Sequence, residues 1–174
     1  MPSKIVSKNL LQKFIQHRKL SGVVDFLNFI RKGKNLKSFY DFCAKHNQKL
    51  LLPADKNMQV LFHGSLKSRS ILSPSKSFVY ATEDPNYAIF LAILDLKNSS
   101  AGVISGKETI LTVDSNFVNG ASKLKNGYVH VVSGKSFKKL KNREYRTNKD
   151  VSVLFAIPVS PKDLTVPIKI EIAN

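Results

Sequence analysis

One strand-like run closes on Phe62-His63-Gly64-Ser65, and a second, Phe78-Val79-Tyr80-Ala81-Thr82-Glu83-Asp84, follows after a short polar connection. Late in the chain, Glu144-Tyr145 comes directly after the basic stretch Lys138-Lys139-Leu140-Lys141-Asn142-Arg143. These motifs offer an imidazole, a phenol and a carboxylate, and they stand out because other chemistry is missing. There is no Walker loop, no glycine-rich dinucleotide fingerprint and no serine-hydrolase motif. No His/Cys cluster has metal-ligand spacing, so no metal is expected. His17, His46 and His130 lie far apart among ordinary neighbours and read as surface or packing histidines. Taken singly, His-Gly-Ser is an ordinary strand exit, Tyr80 a buried strand aromatic and Glu144 a surface carboxylate. Their order is what carries information.

In that order the motifs resemble the diphtheria-toxin-like and poly(ADP-ribose)-polymerase-like ADP-ribosyltransferases, over roughly residues 58–160. Those enzymes have a strand ending in His-Gly-Ser or His-Gly-Thr, then a short Ile-Leu segment, matched here by Ser70-Ile71-Leu72-Ser73. A strand carrying Tyr precedes a helix, and a Glu opens a late strand, often before an aromatic residue. The resemblance implies an α+β split β-sandwich with an NAD cleft and NAD as co-substrate. Cleaving the nicotinamide–ribose bond builds positive charge on the ribose, as in glycoside hydrolysis, and a carboxylate must stand near it. By resemblance Glu144 takes that role through the ribose 2′-OH, and His63 orients the adenosine ribose. The Gly64 backbone clamps the carboxamide with help from Ser65, Tyr80 packs on the dinucleotide, and Arg69 reaches the diphosphate. One departure concerns the second stacking tyrosine of the family, eleven residues after the first. Here that position is Leu91, beside Phe90, and Tyr87 lies one helical turn earlier on the same face. Tyr87 is therefore the candidate replacement ring. Glu171, the other late glutamate, comes too late for the pattern.

The resemblance also implies that the loop before the glutamate meets the acceptor. That loop holds Lys135, Lys138, Lys139, Lys141 and Arg143. The net charge of +16 sits in two places, +9 in residues 1–50 and +7 in residues 120–150, with the remainder balanced. Clustered positive charge draws phosphate-rich partners by counterion release. A DNA or RNA acceptor is the first expectation and an acidic protein surface the second. Three rivals stay open: a tRNA 2′-phosphotransferase, an NAD glycohydrolase, and a non-enzymatic nucleic-acid-binding protein on a decayed ADP-ribosyltransferase fold.

The elements that must position these residues follow from patterning. Hydrophobic residues at 43% and charged residues at 23% suit a globular domain. Residues 1–52 read as a basic helical segment and 53–174 as the NAD-binding domain. Ser7 caps a first helix with Leu10, Leu11, Phe14 and Ile15 inward, and Ser21-Gly22 breaks it. A second helix carries Val23, Val24, Phe26, Leu27 and Ile30 and stops at Gly33; Asn35 caps a third with Leu36, Phe39, Tyr40 and Cys43. Asp84-Pro85 opens a buried helix over Asn86–Leu96. Further strands are expected at Thr109–Val113, Gly127–Val132, Glu144–Thr147, Val151–Ile157 and Val166–Ile172. Lys8, Lys13, Arg18 and Lys19 interrupt every apolar window behind Met1, so no signal peptide is expected. The longest apolar run, Ala88–Leu94, is too short to span a bilayer. With the lone Cys43 fitting a reducing compartment, a cytoplasmic protein with no membrane partner is expected.

Overall fold

The structure is a computed structural model and describes residues 4–50, 53 and 58–172. Three helices come first: α1 (Lys8–His17), α2 (Val23–Ile30) and α3 (Gly33–Lys45). The Ser7 hydroxyl accepts a hydrogen bond from the Leu10 N–H at 3.1 Å and caps α1 as expected. The start of α3 differs from the expectation. Lys32 occupies the cap position and Gly33 is the first helical residue, so Gly33 begins α3 and Asn35 does not cap it. The Asn35 amide instead donates to the Phe29 carbonyl at 3.0 Å, adding to the backbone N–H groups that this carbonyl already meets at the end of α2.

Strands then dominate. In chain order come β1 (Val60–Ser65), β2 (Ile71–Leu72), β3 (Val79–Thr82), helix α4 (Pro85–Ile93), β4 (Leu94–Asp95), β5 (Ala101–Ser105) and β6 (Thr109–Asp114). They are followed by helix α5 (Ser115–Asn119), β7 (Lys123–Leu124), β8 (Gly127–Ser133), β9 (Lys138–Lys139), β10 (Glu144–Thr147), β11 (Val151–Val159) and β12 (Ile168–Glu171). The architecture is α+β. The main sheet runs β2-β11-β8-β1-β3-β10-β9, with a three-stranded sheet β12-β6-β5 and a β4–β7 pair. Among the named strands of the described residues, pairing is antiparallel except between β12 and β6. Strand β5 had no counterpart in the sequence reading, because Ala101-Gly102 dilutes its β-branched pattern.

Helix α4 lies between the two larger sheets. Asp84 caps it through hydrogen bonds from the N–H groups of Asn86 and Tyr87, and Pro85 is its first residue. It ends at Ile93 rather than Leu96, because Leu94 and Asp95 pair with Leu124 and Lys123. Ala88, Ile89, Ala92 and Ile93 join the main core, while Phe90 packs with Leu111 and Val113 of the smaller sheet. Two glycines permit this approach. A Cβ on Gly64 would lie 2.0 Å from the Ala88 carbonyl oxygen, and one on Gly127 would lie 1.8 Å from that of Ala92. Gly64 is therefore required by helix packing before any ligand is considered.

The first three helices share the main core. Phe14, Phe26 and Phe39 cluster with Val129, Phe155 and Ile157, and the Phe39 and Phe155 rings are 5.3 Å apart. Ile5 bridges Ala156 at the edge of β11. The apolar cluster thus runs across both sides of the expected boundary, whose residues 51 and 52 fall outside the described residues, as do residues 1–3. Among the described residues no helix is long and apolar enough to cross a membrane.

Candidate functional site

Strands β1, β3 and β10 are neighbours in the main sheet, and each delivers one chemistry-bearing residue to one cleft. Thr82 is the hub of the register, lying opposite Phe62 on one side and Glu144 on the other. The β1–β3 register contains that single Phe62–Thr82 pair. Beyond it the strands diverge, and His63 bridges them through Nδ1, 2.7 Å from the Tyr80 carbonyl oxygen. A carbonyl only accepts, so Nδ1 carries the proton and Nε2 keeps its lone pair for a hydroxyl donor. Burial lowers the His63 pKa and outweighs the Tyr80 hydrogen bond, which raises it; the Arg69 charge lowers it further. The imidazole is neutral near pH 7.

A narrow slot of about 20 Å³, the room of a water molecule or so, is lined by His63, Gly64, Tyr80, Tyr87, Leu91 and Glu144. Tyr80 is 43% exposed and Leu91 42%, so both stand at its surface. The Tyr87 hydroxyl reaches Glu144 Oε2 at 3.4 Å. Burial, then the adjoining Glu144 carboxylate, pushes the Tyr87 phenol up to about 12, so it stays a donor. A larger groove of about 400 Å³ continues from the slot, sharing His63, Gly64 and Tyr80 and adding Ser65, Arg69, Ser73, Ser75 and Phe78. That volume is in the range of small-molecule sites. The Arg146 guanidinium lies 4.1 Å from the Phe78 ring centroid and steadies that wall. Every residue expected at the dinucleotide, from His63 to Tyr87, lines the slot or the groove.

The expected acceptor residues divide. Lys135, Lys138, Lys139 and Lys141 are exposed, with Lys138 and Lys139 forming the edge strand β9 against β10. Arg143 instead turns inward. Its Nε is 3.2 Å from Glu83 Oε1, and its Nη2 donates to the Glu83 carbonyl at 3.4 Å. Asn142 and Arg143 both have φ of 58°, a consecutive left-handed pair immediately before Glu144. Such backbone costs a non-glycine residue about 1–2 kcal/mol. It is held by the Arg143 carbonyl, which accepts from the Thr82 hydroxyl at 2.9 Å and from the Glu83 N–H at 3.3 Å. These bonds aim Glu144 into the slot.

Two residues to which the motifs assign no role, Glu83 and His130, support the site, and His130, expected as a surface or packing histidine, is buried. Glu83 accepts from the Tyr145 hydroxyl at 3.0 Å and pairs with Arg31 at 3.5 Å as well as with Arg143. Burial alone would raise its pKa, but the Tyr145 and Arg143 hydrogen bonds and the charges of Arg31 and Lys139 hold it below the usual carboxylate value. His130 is fully buried beneath the groove. Its Nδ1 faces the His63 carbonyl at 3.1 Å, and its Nε2 accepts from the Arg69 N–H at 3.0 Å. It thereby ties the two backbone segments that carry His63 and Arg69. Among the described residues no group of three or more His, Cys, Asp or Glu could hold a metal ion.

No protein-family model, curated protein or solved structure matches this chain.

Proposed function

We propose that the chain is an NAD-dependent mono-ADP-ribosyltransferase on a split β-sandwich of that superfamily's type, transferring ADP-ribose to DNA or RNA and releasing nicotinamide. The observation that carries this reading is the meeting of His63, Tyr80 and Glu144 from three adjacent strands at one slot that opens into a 400 Å³ groove. The groove takes the adenosine and diphosphate, with Arg69 at the phosphates and His63 Nε2 accepting from a ribose hydroxyl. The slot takes the nicotinamide end between Tyr80 and Tyr87, and those rings part to admit it. As the ribose C1′–nitrogen bond breaks, its electron pair leaves with nicotinamide and cationic charge develops on the ribose. The Glu144 carboxylate accepts from the 2′-OH and stabilises that charge, mainly in the transition state. A nucleophile of the acceptor then bonds to C1′ and releases its proton. The exposed lysines before Glu144 favour a phosphate-bearing acceptor over an acidic protein.

A non-enzymatic nucleic-acid-binding protein on the same fold is the second reading, favoured by Leu91 in place of the second tyrosine and by the narrowness of the slot. The deciding experiment incubates the protein with NAD labelled in its ADP-ribose part and with separate pools of DNA, RNA and protein. Label on a nucleic acid, lost in Glu144→Gln, is the expected outcome. Label only in free ADP-ribose makes the protein an NAD glycohydrolase, and absence of nicotinamide release selects the second reading. A tRNA 2′-phosphotransferase would retain its activity in Glu144→Gln, because that reaction rests on basic residues at the phosphate.

A further inference from the structure

The two basic parts of the sequence meet in space at Glu83. From the first, Arg31 at the end of α2 comes within 3.5 Å of the Glu83 carboxylate. From the second, Arg143 reaches the same carboxylate at 3.2 Å. Lys139 sits opposite Tyr145 in the β9–β10 pair, with its ammonium 5.8 Å from the Tyr145 ring, and the Tyr145 hydroxyl bonds Glu83. Beside Arg31 follow Lys32 and Lys34, both exposed, at the start of α3. Beside Arg143 stands Lys141, also exposed. Glu83 directly follows Thr82, which is paired with Glu144. The convergence therefore borders the catalytic slot.

We infer that Lys32 and Lys34 at the start of α3 and Lys139 and Lys141 before β10 form one continuous phosphodiester-binding surface beside Glu144. On this surface a single-stranded nucleic acid lies across the mouth of the slot. The inference deepens the proposed function and rests on its placement of Glu144 at the reacting ribose. Glu83 acts as the internal counter-ion that lets two cationic segments lie together. It takes the two arginines and leaves the outer lysines to solvent. Lysines on an edge strand also discourage strand pairing, but that role needs only β9 and does not bring the start of α3 alongside it. A single strand fits better than a duplex, because the reacting atom must reach a slot between two tyrosines and not a flat face.

The test is binding of the full chain, without NAD, to a fluorescent thymidine oligonucleotide and to a uridine oligonucleotide over about 50–200 mM salt. Lys32→Glu/Lys34→Glu and Lys139→Glu/Lys141→Glu should each weaken binding about tenfold or more, and each should lower the log–log salt slope by about 1.4, two contacts at about 0.7 apiece. Lys45→Glu/Lys49→Glu carries the same charge change near the far end of α3, about 17 Å from Lys34 along the helix, and should stay within about threefold of the wild type. The two oligonucleotides separate DNA from RNA as the strand preferred. Equal loss in the Lys45/Lys49 variant would mean that net charge alone drives binding and would overturn the surface. So would absence of binding to both strands at low salt, or equally tight binding of polyglutamate, which would point to an acidic protein. Unchanged melting temperatures exclude unfolding as the cause. Nicotinamide release by the wild type is measured separately, so failure of the surface and failure of the NAD chemistry are distinguishable.

Discussion

Acidification should break a particular hydrogen bond under the groove, the one His130 Nε2 accepts from the Arg69 N–H. His130 is fully buried between the His63 carbonyl and the Arg69 N–H, so one ring nitrogen must donate and the other must accept. Only the neutral imidazole protonated on Nδ1 does both. Burial pushes its pKa from 6.5 down to about 4; the bond to His63 opposes this and is outweighed, while the charges of His63 and Arg69 add to the lowering. The unfolded chain takes up this proton near pH 6.5, and the native chain does so only near pH 4. Between those values the unfolded state binds more protons, so stability falls as pH falls, by about 1.4 kcal/mol per pH unit. Over the window the loss is about 3 kcal/mol, and below it this group contributes nothing further. Urea unfolding of the wild type and of His130→Gln from about pH 7 to pH 4 checks the sign and the size. The lowered carboxylates Glu83, Asp95 and Asp114 add acid sensitivity to both proteins, so the difference between the two profiles is the informative quantity. At pH 7 the variant should be about 1–3 kcal/mol less stable, since its amide offers donor and acceptor but not in the ring's fixed geometry. Parallel profiles would refute the buried neutral imidazole.

Four further outcomes are expected. Glu144→Gln should lower nicotinamide release by about two to three orders of magnitude while calorimetry finds NAD affinity nearly unchanged. NAD at about 100 times its Kd should stabilise the wild type by about 2.7 kcal/mol in thermal unfolding, and His63→Ala should reduce that gain. Gly64→Ala places a methyl 2.0 Å from the Ala88 oxygen and 2.6 Å from the Ala92 nitrogen. It should cost about 3 kcal/mol or more and weaken NAD binding, because Tyr87 and Leu91 move with α4. Phe39→Ala should cost about 3–5 kcal/mol, and a chain lacking residues 1–50 should lose its near-ultraviolet dichroism, since Phe39 packs on Phe155 of β11.

What the sequence made legible is what depends on near neighbours. Ser7 and Asp84-Pro85 announce helix starts through their own side chains and dihedral limits. The alternating runs that end at Ser65, Thr82 and Thr147 became β1, β3 and β10, and so the chemistry-bearing residues could be placed on strands. What was hidden depends on pairing across the chain. Asn35 looks like a cap, but the helix starts two residues earlier at Gly33, and the Asn35 side chain donates to a carbonyl six residues back. His130 looks like any strand histidine until the β1–β8 register sets it opposite His63. Glu83 is the clearest case. Beside Asp84-Pro85 it reads as one more acidic residue at a helix start, a place where negative charge is favoured anyway. Its partners Arg31 and Arg143 are 52 and 60 residues away, and neither has a local signal. Once Thr82 pairs with Glu144, however, Arg143 falls beside Glu83, and the left-handed turn at Asn142-Arg143 acquires its hydrogen-bond partners. One register thus determines both where the candidate carboxylate points and where the basic segments meet. A change that slips the β3–β10 pairing should disable the slot and the lysine surface together, whereas Lys32→Glu/Lys34→Glu should reach only the surface.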